Sequence, residues 1–211
     1  MEKTKRQIIT SPKGVAKYIT VITPDTKFKA EGEYRVTLLL PKDSDEAKSL
    51  IAKIEAGMQE SSAAATKENK GKKVKSAVAP YKDDTDKEGN ETGNVAFIFK
   101  AKASGKRQDG KEWSFKPTLY DAKGARITTL KEVWGGSEVK VAFEIRPYFT
   151  QMVGAGVTLS LQAVQIIKLV TGTGGRDASA YGFGAEEGFD SSLNDSVDEG
   201  AVAEAASAQD F

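Results

Sequence analysis

Residues 138–147 read E-V-K-V-A-F-E-I-R-P, and residues 156–170 read G-V-T-L-S-L-Q-A-V-Q-I-I-K-L-V. Apolar side chains alternate with polar ones in both stretches, and a period of two residues is typical of a strand with one buried face. The two stretches therefore predict a pair of long strands, and they favour a fold that is built mainly from β-structure.

The same signal occurs earlier in the chain. Residues 14–22 and 33–40 are rich in β-branched and aromatic side chains, and a proline-containing turn follows each of them. Residues 95–103 and 113–120 also alternate. The loop at residues 105–110 has glycine at both ends, so it is predicted to join these last two strands as a hairpin.

One helix is predicted after the second strand. Apolar side chains recur at helical spacing from Ala47 to Met58. Asp43 or Ser44 can cap the first turn, where two acidic side chains also complement the helix dipole. The pattern predicts a helix over residues 44–66 and then a long polar excursion over residues 66–94.

Six or seven strands with one inserted helix need a way to protect their edges. An open sheet of that size leaves two rows of unpaired backbone groups, whereas a closed barrel leaves none. We therefore expect an all-β protein, an antiparallel barrel with one helix after the second strand, formed by residues 1–171.

Charge is divided unevenly along the chain. Residues 177–211 contain nine acidic side chains and no Lys or Arg, whereas residues 1–176 contain 31 basic and 21 acidic ones, a net charge of +10. A basic body favours a polyanionic ligand. Residues 172–211 are rich in Ala, Gly, Ser and acids, so we expect them to form a flexible, disordered acidic tail.

Several kinds of site are excluded by composition. The chain has neither His nor Cys, which removes disulfides, Ser-His and Cys-His nucleophiles and the usual metal ligands. Residues 84–89 begin like a calcium loop, but Val95 stands where that loop needs its last glutamate. We expect no enzyme activity, no cofactor and no metal. No apolar run is long enough for a membrane span, so we also expect an intracellular protein.

Arg146, Tyr148 and Phe149 form the first candidate site, at the end of a predicted strand. A guanidinium beside two aromatic rings offers a phosphate partner and flat surfaces on which the bases of single-stranded nucleic acid can stack. The alternative is that the two rings belong to the core.

A second candidate site is the predicted hairpin, where basic side chains surround one tryptophan: Lys100, Lys102, Lys106, Arg107, Lys111 and Trp113. Strand parity places Lys100 and Lys102 on the face opposite Phe97 and Phe99, toward solvent or a ligand. A solvated face is the alternative. The positive charge of the body favours phosphate contacts, because neutralising phosphates releases counterions.

A third candidate is a partner-binding segment in the tail: Asp198, Glu199, Glu204, Asp210 and Phe211. Acidic side chains alone could serve solubility. Solubility gives no reason for a phenylalanine beside a terminal carboxylate, whereas an aromatic anchor among acids suits a pocket with a basic rim.

Several segments, in the same order over nearly the whole chain, resemble the single-stranded DNA-binding proteins of podovirus phages. They read G-E-Y-R-V at 32–36, F-K-A-K-A-S at 99–104, Y-D-A-K-G at 120–124, G-G-S-E-V-K-V at 135–141 and V-G-A-G-V at 153–157. The resemblance implies an OB-fold core with a helix after the second strand, and an acidic tail that ends in phenylalanine. The nine acids of this tail are more dilute than in the family's best-known tails.

The resemblance also implies a function. It implies binding of single-stranded DNA without reading its sequence, in phage DNA replication, recombination and strand annealing, within the cytoplasm of the infected host cell. It implies that the tail competes with DNA and recruits the phage DNA polymerase and helicase-primase, and it allows a homodimer. Tyr148 and Phe149 match the family's aromatic DNA-contact region, and Phe211 matches the terminal aromatic of its tail.

Two other hypotheses stay open on the residues alone. An acidic-tailed scaffold would bind proteins but not DNA. A metal-dependent nuclease would use some of the scattered carboxylates on single strands, although no pair of them recurs at a spacing that identifies such a site.

Overall fold

The structure, a computed structural model, describes residues 7–27, 29–107 and 109–171. These ranges contain one helix, α1 (Asp45–Glu68), and eleven strands: β1 (Ile9–Thr10), β2 (Gly14–Asp25), β3 (Glu33–Pro41), β4 (Tyr81–Thr85), β5 (Glu91–Lys102), β6 (Ser104–Lys106), β7 (Glu112–Ser114), β8 (Thr118–Tyr120), β9 (Arg126–Ile127), β10 (Glu138–Thr150) and β11 (Gly154–Lys168). The expected acidic tail, residues 172–211, lies outside the described residues, and so do its candidate residues Asp198, Glu199, Glu204, Asp210 and Phe211.

Five long strands close into a barrel in the order β2, β3, β5, β11, β10 and back to β2. Closure depends on two pairings: β10 lies antiparallel to β2, with Val139 opposite Gly14, and β11 lies parallel to β5, with Leu159 opposite Phe99. A small five-stranded barrel of this kind is an OB-like fold, which confirms the predicted fold class. One pairing in the closed ring is parallel, so the barrel is not antiparallel throughout.

Aromatic and branched side chains fill the barrel. Phe97, Phe99 and Phe143 have no exposed surface, and the ring centroids of Phe99 and Phe143 are 4.9 Å apart. Because strand residues alternate between faces, these inward positions fix which neighbours face outward. Truncation of any one of the three rings to alanine removes enough buried surface to cost about 3–5 kcal/mol of stability.

Helix α1 begins and packs as its sequence predicts. Ser44 is the N-cap, and its Oγ accepts a hydrogen bond from the backbone N–H of Ala47 at 3.2 Å. The buried Ser61 hydroxyl donates to the backbone carbonyl of Gly156 at 2.9 Å, which ties the helix to the long hairpin of β10 and β11. The helix ends two residues beyond the predicted boundary and is not apolar enough to cross a membrane.

The polar excursion after α1 contains a strand that the sequence pattern did not indicate. β4 pairs with the first half of β5, which begins at Glu91 and not at Val95. Only one side chain of β4, that of Asp84, is buried. Its carboxylate accepts hydrogen bonds from Lys17 Nζ at 2.6 Å and from Thr92 Oγ1 at 2.9 Å, so this acid has a structural role.

The predicted strand at residues 113–120 is wrong as a single element. It divides into β7, which pairs with β6 in a small separate sheet, and β8, which lies parallel to β11. Pro117 stands between them and has no N–H to donate to a ladder, so the strand cannot continue there. The consequence is a short hairpin of β6 and β7 outside the barrel.

Candidate nucleic-acid interface

Four of the predicted DNA-binding residues line one open cleft of about 630 Å³: Lys102, Arg107, Trp113 and Arg146. Three elements contribute them, namely the end of β5, the β6–β7 hairpin and the far part of β10. The remaining lining residues are Ala101, Ser114, Phe115, Ser160, Leu161 and Gln162. The cleft therefore combines three cations, two aromatic rings and three uncharged polar side chains.

Strand parity places the cations of β5 on the outside of the barrel. Phe97 and Phe99 occupy the core, and the following positions of opposite parity, Lys100 and Lys102, face the other way. On β10, Phe143 is likewise buried and Arg146 is exposed. These long side chains lie on the barrel surface because the phenylalanines of the same strands occupy the inward-facing positions.

Trp113 is held against the backbone of its own hairpin. It lies directly opposite Gly105 in the β6–β7 pairing, and a Cβ atom built on Gly105 would lie 2.9 Å from Cζ2 of the indole. Only glycine leaves room for this contact. The indole is consequently fixed as a half-exposed flat surface at the edge of the cleft.

Carboxylates already pair with several cations of the interface. Lys102 Nζ lies 2.9 Å from Glu31, Arg146 Nη2 lies 2.9 Å from Glu144, and Lys106 Nζ lies 3.3 Å from Glu112. The hydrogen bond from Lys102 lowers the pKa of the Glu31 carboxyl, so this acid is ionised at neutral pH. Exposed pairs of this kind contribute about 0–1 kcal/mol. A phosphate group can therefore displace the carboxylates at little cost.

Other cations of the interface have no such partner. Among the described residues, Lys100, Arg107 and Lys111 form no ion pair with a carboxylate. Lys106, Arg107 and Lys111 lie on the exposed part of the hairpin, beyond the barrel. Both the base and the tip of the predicted cluster therefore contain paired and unpaired cations: Lys102 is paired and Lys100 is not at the base, and Lys106 is paired and Arg107 and Lys111 are not at the tip.

Lys100 lies in a neighbouring groove that the sequence reasoning did not identify. This groove, of about 570 Å³, is lined by side chains from β2, β3 and β5, among them Tyr18, Arg35 and Lys100. Arg35 is directly opposite Lys100 in the β3–β5 pairing, and Lys100 is opposite Ser160 of the cleft. The two concave surfaces are therefore neighbours on the outside of the barrel.

Tyr148 and Phe149 do not form a single stacking surface. Adjacent residues of a strand point to opposite faces. Tyr148 lies over its cross-strand partner Gly156, with its hydroxyl 3.0 Å from the position of a Cβ on that glycine, whereas Phe149 is 39% exposed. Arg146 and Tyr148 share a face, but neither Tyr148 nor Phe149 lines the cleft. Their contact with DNA stays a prediction.

A basic segment runs beside this end of the hairpin. The backbone carbonyl of Lys75 accepts a hydrogen bond from Ala155 N at 2.8 Å, and Ala77 N donates to Ala155 O at 2.7 Å. This pairing fixes residues 75–77 next to β11. Four lysines just before or within it are exposed: Lys70, Lys72, Lys73 and Lys75.

Sequence reasoning missed Tyr18, Arg35 and Gln162 as interface residues. Arg35 had a visible signal, because it is the polar member of an alternating strand between Tyr34 and Val36. No local pattern indicated that Arg35 lies next to Lys100, since the two positions are 65 residues apart and meet only through the β3–β5 register. The position of Tyr18 depends on an irregularity in β2 that no local pattern indicates.

Comparisons of the sequence with known proteins identify one family. A model of the family described as single-stranded DNA-binding protein, bacteriophage T7, matches residues 13–169. The single-stranded DNA-binding protein of Enterobacteria phage T3 is 30% identical over 188 residues, which cover 82% of this chain and 81% of that protein. The corresponding protein of Escherichia phage T7 is 29% identical over 186 residues, with coverages of 82% and 80%.

Solved structures of phage single-stranded DNA-binding proteins have a similar fold. The crystal structure of gp2.5, a single-stranded DNA-binding protein encoded by bacteriophage T7, has a TM-score of 0.68 at 26% identity and covers 88% of this chain and 98% of its own. The single-stranded DNA-binding protein from bacteriophage Enc34 in complex with single-stranded DNA has a TM-score of 0.54 at 18% identity, with coverages of 78% and 88%. The second similarity concerns the fold alone.

Proposed function

We propose how this protein binds DNA, starting from its family: the chain belongs to the phage single-stranded DNA-binding proteins typified by that of bacteriophage T7. It binds single-stranded DNA in the cleft between the β6–β7 hairpin and the barrel. The observation that carries this proposal is the convergence of Lys102, Arg107, Arg146 and Trp113 on that one cleft.

The cleft offers the two interactions that single strands need. Its guanidinium and ammonium groups pair with phosphates and release counterions, and the indole of Trp113 offers a face on which a base stacks for about 1–3 kcal/mol. Neither interaction distinguishes one base from another. Binding is therefore independent of sequence, and a rigid duplex, whose bases are already stacked, binds less well.

The function of the family supports a role in DNA metabolism of an infecting phage. A protein that coats single strands removes hairpins and keeps complementary strands available for pairing. We accordingly propose that this chain acts in phage DNA replication, recombination and strand annealing inside the host cell, without enzymatic activity of its own.

The acidic tail has a separate proposed role. Residues 177–211 of the tail, with nine carboxylates and no Lys or Arg, suit contact with basic surfaces, either on partner proteins or in the DNA-binding cleft itself. We propose that it recruits the phage DNA polymerase and helicase-primase and competes weakly with DNA. We also propose that the chain forms a homodimer. Sedimentation of the full chain and of a chain ending at Gly175 tests this.

Titration of a fluorescent oligothymidine tests the proposal. The full chain and the version ending at Gly175 are each titrated at low and moderate salt, with a duplex of equal length as the control. Preference for the single strand, a steep salt dependence and tighter binding by the truncated chain are expected. Equal and weak binding to both DNAs would instead favour a protein-binding scaffold.

A further inference from the structure

Tyr18 has an unusual position for a large aromatic side chain. It is 62% exposed on the outside of the barrel, in the groove that also contains Arg35 and Lys100. Arg35 Nη2 lies 3.6 Å from Glu33, and Lys100 forms no ion pair among the described residues. The groove thus combines an exposed ring with three cations, Lys29, Arg35 and Lys100, and with the carboxylates of Asp25 and Glu33.

An irregularity in β2 turns Tyr18 outward. Ala16 is opposite Leu38 and fully buried, but Tyr18 is opposite Thr37, so Lys17 is an extra residue, a β-bulge. After the bulge the odd-numbered positions face the core, as the 1% exposure of Val21 indicates. In a regular strand Tyr18 would share the inward face of Ala16. Bulges commonly redirect a side chain at a functional site.

The bulge is held by interactions of its own. Lys17 Nζ donates to the buried carboxylate of Asp84 at 2.6 Å and to the backbone carbonyl of Thr85 at 2.7 Å. Asp84 in turn accepts from Thr92 Oγ1. β4 thus anchors the extra residue that presents the ring, and this gives the buried acid a positioning role beyond stability.

The groove and the Trp113 cleft are connected. Thr20, Arg35, Lys100 and Ser160 are successive cross-strand partners on β2, β3, β5 and β11. Three strand spacings separate the ends of this row, roughly 14 Å. Stacked nucleotides advance by about 3.4 Å each, so roughly four nucleotides cover this distance, within the range bound by one OB fold.

We propose that Tyr18 is a second base-stacking position, and that single-stranded DNA leaving the Trp113 cleft crosses Lys100 and Arg35 to reach it. The inference rests on the proposed function, because it extends the path of the same ligand. It assigns the phosphate contacts between the two rings to Arg35 and Lys100.

Substitutions of Tyr18 test the inference. Oligothymidines of about 4 and about 15 nucleotides are titrated into the wild type, Tyr18→Ala, Tyr18→Phe and, as an exposed aromatic outside both grooves, Trp134→Ala. Tyr18→Ala is expected to weaken binding of the longer oligonucleotide by about 5- to 100-fold and that of the shorter one much less. Tyr18→Phe and Trp134→Ala are expected to bind like the wild type.

The outcomes separate this inference from the proposed function. Wild-type affinity of Tyr18→Ala for the longer oligonucleotide, together with weakened binding by Trp113→Ala, overturns the second stacking position and leaves the cleft intact. A wild-type chain that does not prefer single strands overturns both. An equal loss with Tyr18→Phe also contradicts stacking, because phenylalanine keeps the ring and removes only the hydroxyl.

Discussion

At the scale of single residues, the interface depends on flat rings and on cations whose charges are only partly compensated. Trp113 is fixed on Gly105, and Arg146 and Lys102 are each paired with a nearby glutamate. Each carboxylate lies 2.9 Å from its cation. The carboxylates compete with phosphate, so their removal should strengthen binding.

Glu144→Gln tests this competition. The substitution frees Arg146 from its carboxylate partner and keeps the shape of the side chain, so affinity for oligothymidine is expected to rise roughly two- to fivefold. Fluorescence anisotropy at fixed salt measures the change. Glu138→Gln is the matched control, because Glu138 pairs with Lys13 at 3.1 Å and does not line the cleft. A fall in affinity for Glu144→Gln, or an equal rise in both variants, would contradict the account.

At the scale of secondary structure, the β4–β5 hairpin fixes β2 through Asp84. Burial raises the pKa of this carboxyl, but hydrogen bonds from Lys17 and Thr92 outweigh that effect, and its pKa lies below the ordinary value. The charged form therefore stabilises the fold above an unfolded pKa of about 3.9, and the contribution is lost as pH falls through the lower folded pKa.

Asp84→Asn is expected to lower the free energy of unfolding by about 2 kcal/mol at neutral pH, because the amide cannot replace a charged hydrogen-bond acceptor of Lys17. The difference from the wild type should begin to shrink below about pH 4, where the carboxyl of the unfolded chain takes up a proton, and it should be lost as the pH falls through the lower pKa of the folded state. Urea unfolding at both pH values measures it. A difference that is the same at neutral and acidic pH would show that the charge of Asp84 is not what stabilises the hairpin.

The turn between β10 and β11 depends on Gly154. Its φ is +101°, and a Cβ atom there would overlap the backbone carbonyl of Lys75, which pairs with β11. Gly154→Ala is expected to cost more than about 2 kcal/mol in urea unfolding. Gly124→Ala, at φ +84° with open space around it, is the control and should cost less. Equal losses would mean that backbone strain alone, and not the packing of the Lys75 segment, determines the effect.

The elements also show what a sequence pattern can and cannot predict. Alternation predicted the long strands and helical spacing predicted α1, because both signals are local. β4 was missed, since most of its side chains are exposed and polar. The bulge at Lys17 and the Arg35–Lys100 pair depend on long-range register, so the position of Tyr18 was not predictable. The cleft was not predictable either, because the β6–β7 hairpin forms one side of it and Pro117 separates that hairpin from the barrel.

At the scale of the whole molecule, the charge of the body determines how binding depends on salt. Six cations of the two grooves and the hairpin are assigned to phosphates: Arg35, Lys100, Lys102, Arg107, Lys111 and Arg146. At about 0.7 counterions released per phosphate contact on single strands, the slope of log K against log salt is expected near −4.2 for the chain ending at Gly175. Titrations at four salt concentrations measure it. A slope near zero would contradict a phosphate-based interface.

The fluorescence of Trp113 tests the central claim most directly. The chain has two tryptophans, so Trp134→Phe leaves Trp113 as the single reporter in the cleft. Saturating oligothymidine is expected to quench its emission strongly and to protect it from acrylamide, because a base stacks on the indole. An emission spectrum that does not change while the oligonucleotide is bound, as anisotropy would show, would mean that DNA does not pass through this cleft.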